Sequence, residues 1–283
     1  MKKTLKEFPE RLGATLKSIV KLALQTKRCS ITPHSEAGDR LIILGNGPSL
    51  ADTIADYSGD ILAATPLMAV NFAANTPQFD LLQPRYYVLA DPLFFAADAD
   101  EKVRTLWQNF ADKVTWPMTI FVPVGQIGRI RLHNSNITVE GFNFTGIGGF
   151  GPFRRAVYDA GRGMPRPRNV LIPSIMTGIR LGYKEIYLTG ADHSWTKTLD
   201  VDDDNRVVTV QPHFYKDDEA ERRRVTQVYR DIHLHDILLS FHIAFRAYFD
   251  VEDYARHRGI KIYNATPGSF IDAFERRELL ALR

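Results

Sequence analysis

The apolar positions of this chain follow two different periods. Near the start, Leu5, Phe8, Leu12, Leu16, Ile19, Val20, Ala23 and Leu24 recur every three or four residues, the stripe of an amphipathic helix. Lysines interrupt the stripe, so no run approaches the roughly 20 apolar residues of a membrane span. It also lacks the unbroken apolar core and small-residue cleavage site of a signal peptide. Residues 31–40 then read as a linker. Beyond it the pattern changes to short, solid apolar runs of strand type at 41–44, 68–71, 86–91, 118–123, 136–139, 185–188 and 260–263. Helical stretches separate them, the clearest at about 170–181 and 233–257, with another after Ser269. Ser49 followed by Asp52 has the spacing of a capping box and predicts a helix start. Short apolar strands alternating with helices predict an α/β fold, a Rossmann-like, mostly parallel sheet flanked by helices. The polar stretch after 193 reads as an excursion from that core. The organisation expected is a basic amphipathic helix (1–30), a nucleotide-binding domain (31–193 and 242–283) and a lid-like insertion (194–241).

Composition sharpens this picture in two places. Hydrophobic residues make up 45% and charged residues 24% of the 283, which excludes a disordered tail and a membrane-spanning bundle. A single cysteine, Cys29, excludes an internal disulfide and a cysteine-based zinc cluster, and fits a reduced, cytoplasmic compartment. The net charge of +3 is unevenly spread, with +6 on residues 1–30 and −3 on the remaining 253. A mildly acidic body argues against a nucleic-acid-binding core. The basic arm has two readings: a helix packed on the domain or a partner subunit, or a helix lying on an anionic membrane surface.

Candidate chemistry gathers where strands end. In open α/β sheets ligands bind at the carboxyl ends of the strands. Asn46, Asn71, Asp91, Asp192 and Asn264 each follow a predicted strand, and five polar residues at one edge suggest a lined pocket. Gly45-Asn46-Gly47-Pro48-Ser49 is a two-glycine strand-to-helix turn, suited to a phosphate. It is neither a Walker loop nor the three-glycine dinucleotide fingerprint. A nucleotide site and a plain tight turn both remain open. Asp202-Asp203-Asp204 reads as a solvated loop in preference to a metal site. His233 and His235 read as surface or core histidines. His242, in the helical segment Ser240–Phe245, reads either as a core histidine or as a general base.

Three blocks resemble the bacterial lipooligosaccharide sialyltransferase family, which uses CMP-sialic acid. Gly45–Leu50 looks like its opening motif. Leu181-Gly182-Tyr183-Lys184-Glu185-Ile186-Tyr187-Leu188-Thr189-Gly190-Ala191-Asp192 looks like its second signature. Ile260-Lys261-Ile262-Tyr263 with Pro267 and Ser269 looks like its third. The same blocks resemble a wider group around the archaeal-type 6-hydroxymethylpterin diphosphokinases, the MptE-like proteins. The first resemblance implies a glycosyltransferase moving a sugar from a CMP-type or other nucleotide sugar to a cell-surface glycan, in lipopolysaccharide or capsule synthesis. It implies His242 as catalytic base and nucleotide contacts from Gly45, Asn46, Gly47, Ser49, Asn71, Asp91 and Asn169. Asp91 stands where the family has asparagine, and Pro167–Leu171 stands where it has Arg-x-Thr-Ser-Gly. It assigns substrate and phosphate contacts to Asp192, His193, Tyr215 and Arg222, with Tyr229 an alternative to Tyr215. No metal or other cofactor is expected. The expected partners are the nucleotide sugar, a glycan or lipid-linked acceptor and an anionic membrane surface, with homo-oligomerisation open and nucleic acid excluded. The second resemblance implies a Mg²⁺-dependent diphosphotransferase using Asp91 and Asp192 as metal ligands. A third reading is a non-catalytic polysaccharide-assembly protein.

Overall fold

Among the described residues, eight strands, all paired in parallel, form the central sheet. The computed structural model describes residues 7–33, 39–208 and 232–282. Within these, the chain runs α1 (Phe8–Gln25), β1 (Arg40–Leu44), α2 (Leu50–Tyr57), α3 (Ile61–Ala64), β2 (Leu67–Val70), α4 (Gln78–Leu82), β3 (Tyr86–Val88) and α5 (Glu101–Lys113). It continues through β4 (Met118–Pro123), β5 (Ile137–Phe142), α6 (Gly151–Asp159), α7 (Leu171–Leu181), β6 (Glu185–Thr189) and a small hairpin of β7 (Asp200–Val201) and β8 (Val207–Val208). Last come α8 (Leu234–His257), β9 (Lys261–Asn264) and β10 (Glu275–Arg276). The central sheet has the order β10-β9-β6-β1-β2-β3-β4-β5, the Rossmann-like α/β fold that the alternation of short runs predicts.

The central strands β1, β2, β3, β4 and β6 are mainly apolar because both faces are covered, as parallel sheets require. Leu41 and Ile43 of β1 face a layer built from Ile172, Ile175 and Ile179 of α7 and Tyr248 and Val251 of α8. Ile42 and Leu44, one residue out of phase, face Leu50 and Ile54 of α2. Farther along that second face, Tyr87 and Ile120 pack on Val103, Leu106 and Phe110 of α5. No helix among the described residues is long and apolar enough to cross a membrane.

Several predicted ends move. The run at 86–91 stops as strand at Val88, because Asp91 turns to cap a 3₁₀ turn, Pro92–Phe95, accepting from the Leu93 N–H at 3.0 Å. No α-helix follows Ser269 among the described residues. Phe270–Leu282 instead holds the two-residue β10 and a 3₁₀ turn, Leu279–Leu282. The capping box at Ser49 does not form: the Ser49 hydroxyl turns away from its own helix toward Asp192. Asp202-Asp203-Asp204 is the exposed turn of the β7–β8 hairpin, where Asp202 accepts from the Asp204 and Arg206 N–H groups. His233 caps α8, and its ring stacks on that of His235. Between 194 and 241, the described part is a 3₁₀ turn (Trp195–Thr198), the hairpin and the first turns of α8.

Candidate active site

Strand order reverses between β1 and β6, so the crevice at their carboxyl ends is the topological switch point of the sheet. The loops leaving these two strands interlock. Gly45 N–H donates to Thr189 O and Gly47 N–H to Gly190 O, each at 2.7 Å. Ser49 Oγ donates to Asp192 Oδ2 at 2.8 Å, and Ser49 N–H to Asp192 Oδ1 at 3.4 Å. A carboxylate of the chain itself therefore sits at the N-terminus of α2, where the helix dipole favours negative charge. Gly47 is required here: a Cβ on it would stand 1.9 Å from Asp192 Oδ2.

The remaining predicted residues lie around this knot in different ways. Asn46 is half-buried. Its Nδ2 reaches Val70 O at 3.5 Å, while its Oδ1 is buried without a partner among the described residues. Asn71 stands at the end of β2 with φ of 51°, the left-handed region that asparagine tolerates better than most residues. Asp91 is exposed and holds its own 3₁₀ turn. Asn264 departs from the pocket reading. It is buried, its Nδ2 donates to Ile271 O at 2.9 Å and its Oδ1 accepts from the Thr266 N–H at 3.1 Å. It ties the segment after β9 to itself. Thr266 and Ser269 then fasten that segment to the β6 loop through the Ala191 N–H and carbonyl. Tyr215, Tyr229 and Arg222 lie outside the described residues.

Asn169 and His193 meet through a residue that sequence reasoning missed. Asn169 precedes α7, and its Oδ1 accepts from the Leu171 and Ile172 N–H groups at 3.0 and 3.4 Å. The same oxygen accepts from the Tyr248 hydroxyl at 3.1 Å, and Tyr248 Oη lies 2.8 Å from His193 Nε2. An amide oxygen can only accept, so the Tyr248 hydroxyl donates to it and takes its own hydrogen bond from the His193 Nε2–H. Asn169 Nδ2 is left buried without a partner among the described residues. Tyr248 lies inside a long amphipathic helix, where a tyrosine reads as core. Only the fold brings it 55 and 79 residues across the chain to His193 and Asn169.

His193 itself is buried, with φ of 51° and its ring 4.1 Å from that of Trp195. Burial pushes its pKa down to about 3, so the ring is neutral near pH 7. The unfolded chain takes up this proton at about pH 6.5 and the folded protein does not, so stability falls with acidity across that window. We expect urea unfolding to show a loss of roughly 1.4 kcal/mol per pH unit between about pH 6 and pH 4. His193→Gln should flatten that slope. An unchanged slope in the variant would assign the acid lability to other groups.

His242 is exposed and lines an open groove of about 430 Å³ with Phe245, Arg246, Phe249, Phe270 and Asp272. Phe241, one residue back, turns inward and packs on Trp195 at 5.4 Å between rings. The groove adjoins the β6 loop on two sides. Phe270 N–H donates to Asp192 O at 2.9 Å, and the Phe245 ring lies 6.3 Å from that of His193.

The fold is similar to that of a solved glycosyltransferase. That structure, the MAf glycosyltransferase from Magnetospirillum magneticum AMB-1, superposes with a TM-score of 0.53 at 15% identity. The match covers 97% of this chain and 39% of that one, so the chain spans about two fifths of its neighbour's length. The sequence matches no protein-family model and no curated protein. At this identity the likeness establishes the architecture, and the chemistry must be argued from the residues.

Proposed function

We propose that this chain is a glycosyltransferase that moves a sugar from a nucleotide donor of CMP type to a hydroxyl of a glycan acceptor. One observation carries the reading: two buried amide atoms at the carboxyl edge, Asn46 Oδ1 and Asn169 Nδ2, have no partner within the described residues. An unmet buried acceptor or donor costs about 1–3 kcal/mol. One ligand presenting a donor to the first and an acceptor to the second removes both penalties, and a nucleoside carries groups of both kinds. The fold of the solved neighbour supports the reading.

In this reading the Gly45–Ser49 turn, Asn71, Asp91 and Asn169 surround the nucleotide, and Asp192 holds the turn in shape through Ser49. The acceptor enters the groove beside His242. Its oxygen attacks the anomeric carbon, the bond from that carbon to the nucleotide phosphate breaks, and the hydroxyl proton passes to His242. Tyr215 and Arg222 are assigned to the charge on the leaving phosphate. None of these steps calls on a metal ion.

A thermal-shift screen with CMP, CDP, UDP, GDP and ATP, each with and without Mg²⁺, tests the donor class. A ligand at 100 times its Kd adds about 2.7 kcal/mol. CMP should raise the melting temperature without Mg²⁺. Stabilisation by ATP alone, and only with Mg²⁺, would replace this reading with diphosphotransfer, and indifference to all five nucleotides would end both. Asn46→Ala should weaken CMP binding about 5- to 150-fold, because it removes one buried polar contact to the ligand. Its melting temperature should stay near that of the parent, since the side chain's internal bond is long. Equal affinity in the variant takes Asn46 out of the site.

A further inference from the structure

The helix α1 is attached to the body by the wrong face for an ordinary amphipathic helix. Ser18 Oγ donates to Gly148 O at 3.1 Å and accepts from the Gly148 N–H at 3.0 Å. One turn away, Thr15 Oγ1 accepts from the Phe150 N–H at 3.1 Å, and Lys21 Nζ donates to Gly146 O at 3.3 Å. Gly149 lets the two backbones meet: its φ is +110°, and a Cβ there would stand 2.1 Å from Thr15 Oγ1. With about 100° per residue, this docking turns most of the apolar stripe away from the protein, while Leu22 packs on the core and the Phe8 ring rests 5.4 Å from that of Phe150. Phe8, Leu12, Leu16, Ile19, Val20 and Leu24 are between 43% and 80% exposed.

A contiguous apolar face of this kind marks an interaction site, and charge identifies what it meets. Lys17 is exposed on the helix, Lys27 and Arg28 are exposed just beyond its end, Arg11 is exposed and paired with Glu7, and residues 1–30 carry a net charge of +6. Burial lowers the pKa of Lys21, and the nearby charges of Arg166, from the body, and Lys17 lower it further, so the surroundings of α1 add to the same positive field. A second copy of the helix laid on this face would bring +6 against +6. The core of a protein interface is depleted in lysine. An anionic bilayer surface satisfies both features at once: aliphatic side chains enter the headgroup boundary while the cations meet lipid phosphates.

We infer that α1 is a permanent, in-plane membrane anchor, docked to the body by its polar face and presenting its apolar face to anionic lipid. The helix is about 27 Å long. The loop that holds it, residues 143–150, leaves the carboxyl end of β5, the same sheet edge as the candidate active site. Anchoring therefore brings that edge toward the bilayer. The inference rests on the geometry and charge of α1 and its surroundings, and stands or falls apart from the glycosyltransferase reading.

The test is co-sedimentation of the full chain with phosphatidylcholine vesicles, with and without about one third phosphatidylglycerol, at low salt and at about 0.5 M salt. The expected result is binding to the anionic vesicles only, weakened by salt. The double variant Leu16→Glu/Val20→Glu should lose at least about 100-fold in affinity. Lys17→Gln should lose about five-fold, which is about 1 kcal/mol. Both variants should keep the parent melting temperature, because all three side chains face solvent. No binding to anionic vesicles at low salt overturns the inference, as does binding that ignores the double variant. A lipid-free dimer that the double variant dissociates would also overturn it and give the face to a second copy.

Discussion

Replacing His242 by alanine should cut turnover about 10²–10⁴-fold, the usual contribution of a positioned general base. The melting temperature should hardly move. His242 is exposed, so truncating it leaves no cavity, and surface changes of this kind stay within about 0.5 kcal/mol. CMP affinity should also persist, because the base faces the acceptor groove with Phe249, Phe270 and Asp272, not the turn after β1. The three readouts separate the alternatives. A core histidine would lose stability first and activity only with it. A donor-binding histidine would lose nucleotide affinity. Full turnover in His242→Ala, measured with a nucleotide sugar that binds, would remove His242 from the reaction and leave the groove as a binding surface only.

The core strands were legible because burial on both faces leaves solid apolar runs with few alternatives. Residues 118–123 read as a strand and form β4 over the same span. What escaped was structure defined only by pairing. β10, Glu275–Arg276, is exposed and charged, and nothing but its ladder with β9 makes it a strand. The helix period of the first segment matches α1, but which side faces the body depends on groups that the period does not report. Residues 146–150 offer bare backbone groups that Ser18 and Thr15 satisfy.

The polar residues after strands divide in the same way. Turn chemistry and ligand chemistry use the same side chains, so Asn46 and Asn264 look alike in sequence. One has an unmet buried oxygen, and the other closes both of its bonds internally. Tyr248 carried no signal, since it lies in α8 while its partners come from the segment before α7 and the loop after β6.

Gly45→Ala should be the most destabilising small change at the switch point. The new Cβ would lie 2.4 Å from Gly190 O, 2.8 Å from Gly190 C and 3.1 Å from Thr189 O. All three are backbone atoms, so no side chain can swing aside to make room. Relief requires β1 and β6 to part at their carboxyl ends. That motion stretches the Gly45–Thr189 and Gly47–Gly190 bonds, both 2.7 Å, and draws Ser49 from Asp192. Overpacking against backbone of this kind costs about 3 kcal/mol. For a chain of this size the melting temperature should fall by about 6–10 °C. Nucleotide-induced stabilisation should be reduced further than by Asn46→Ala, because the whole turn shifts. Gly125→Ala is the matched control: no atom lies within 4 Å of its Cβ position, so its melting temperature should stay close to the parent's. Circular dichroism melts of the two variants side by side decide the point. A Gly45→Ala protein that melts with the control would mean that the two loops do not meet as closely as 2.7 Å.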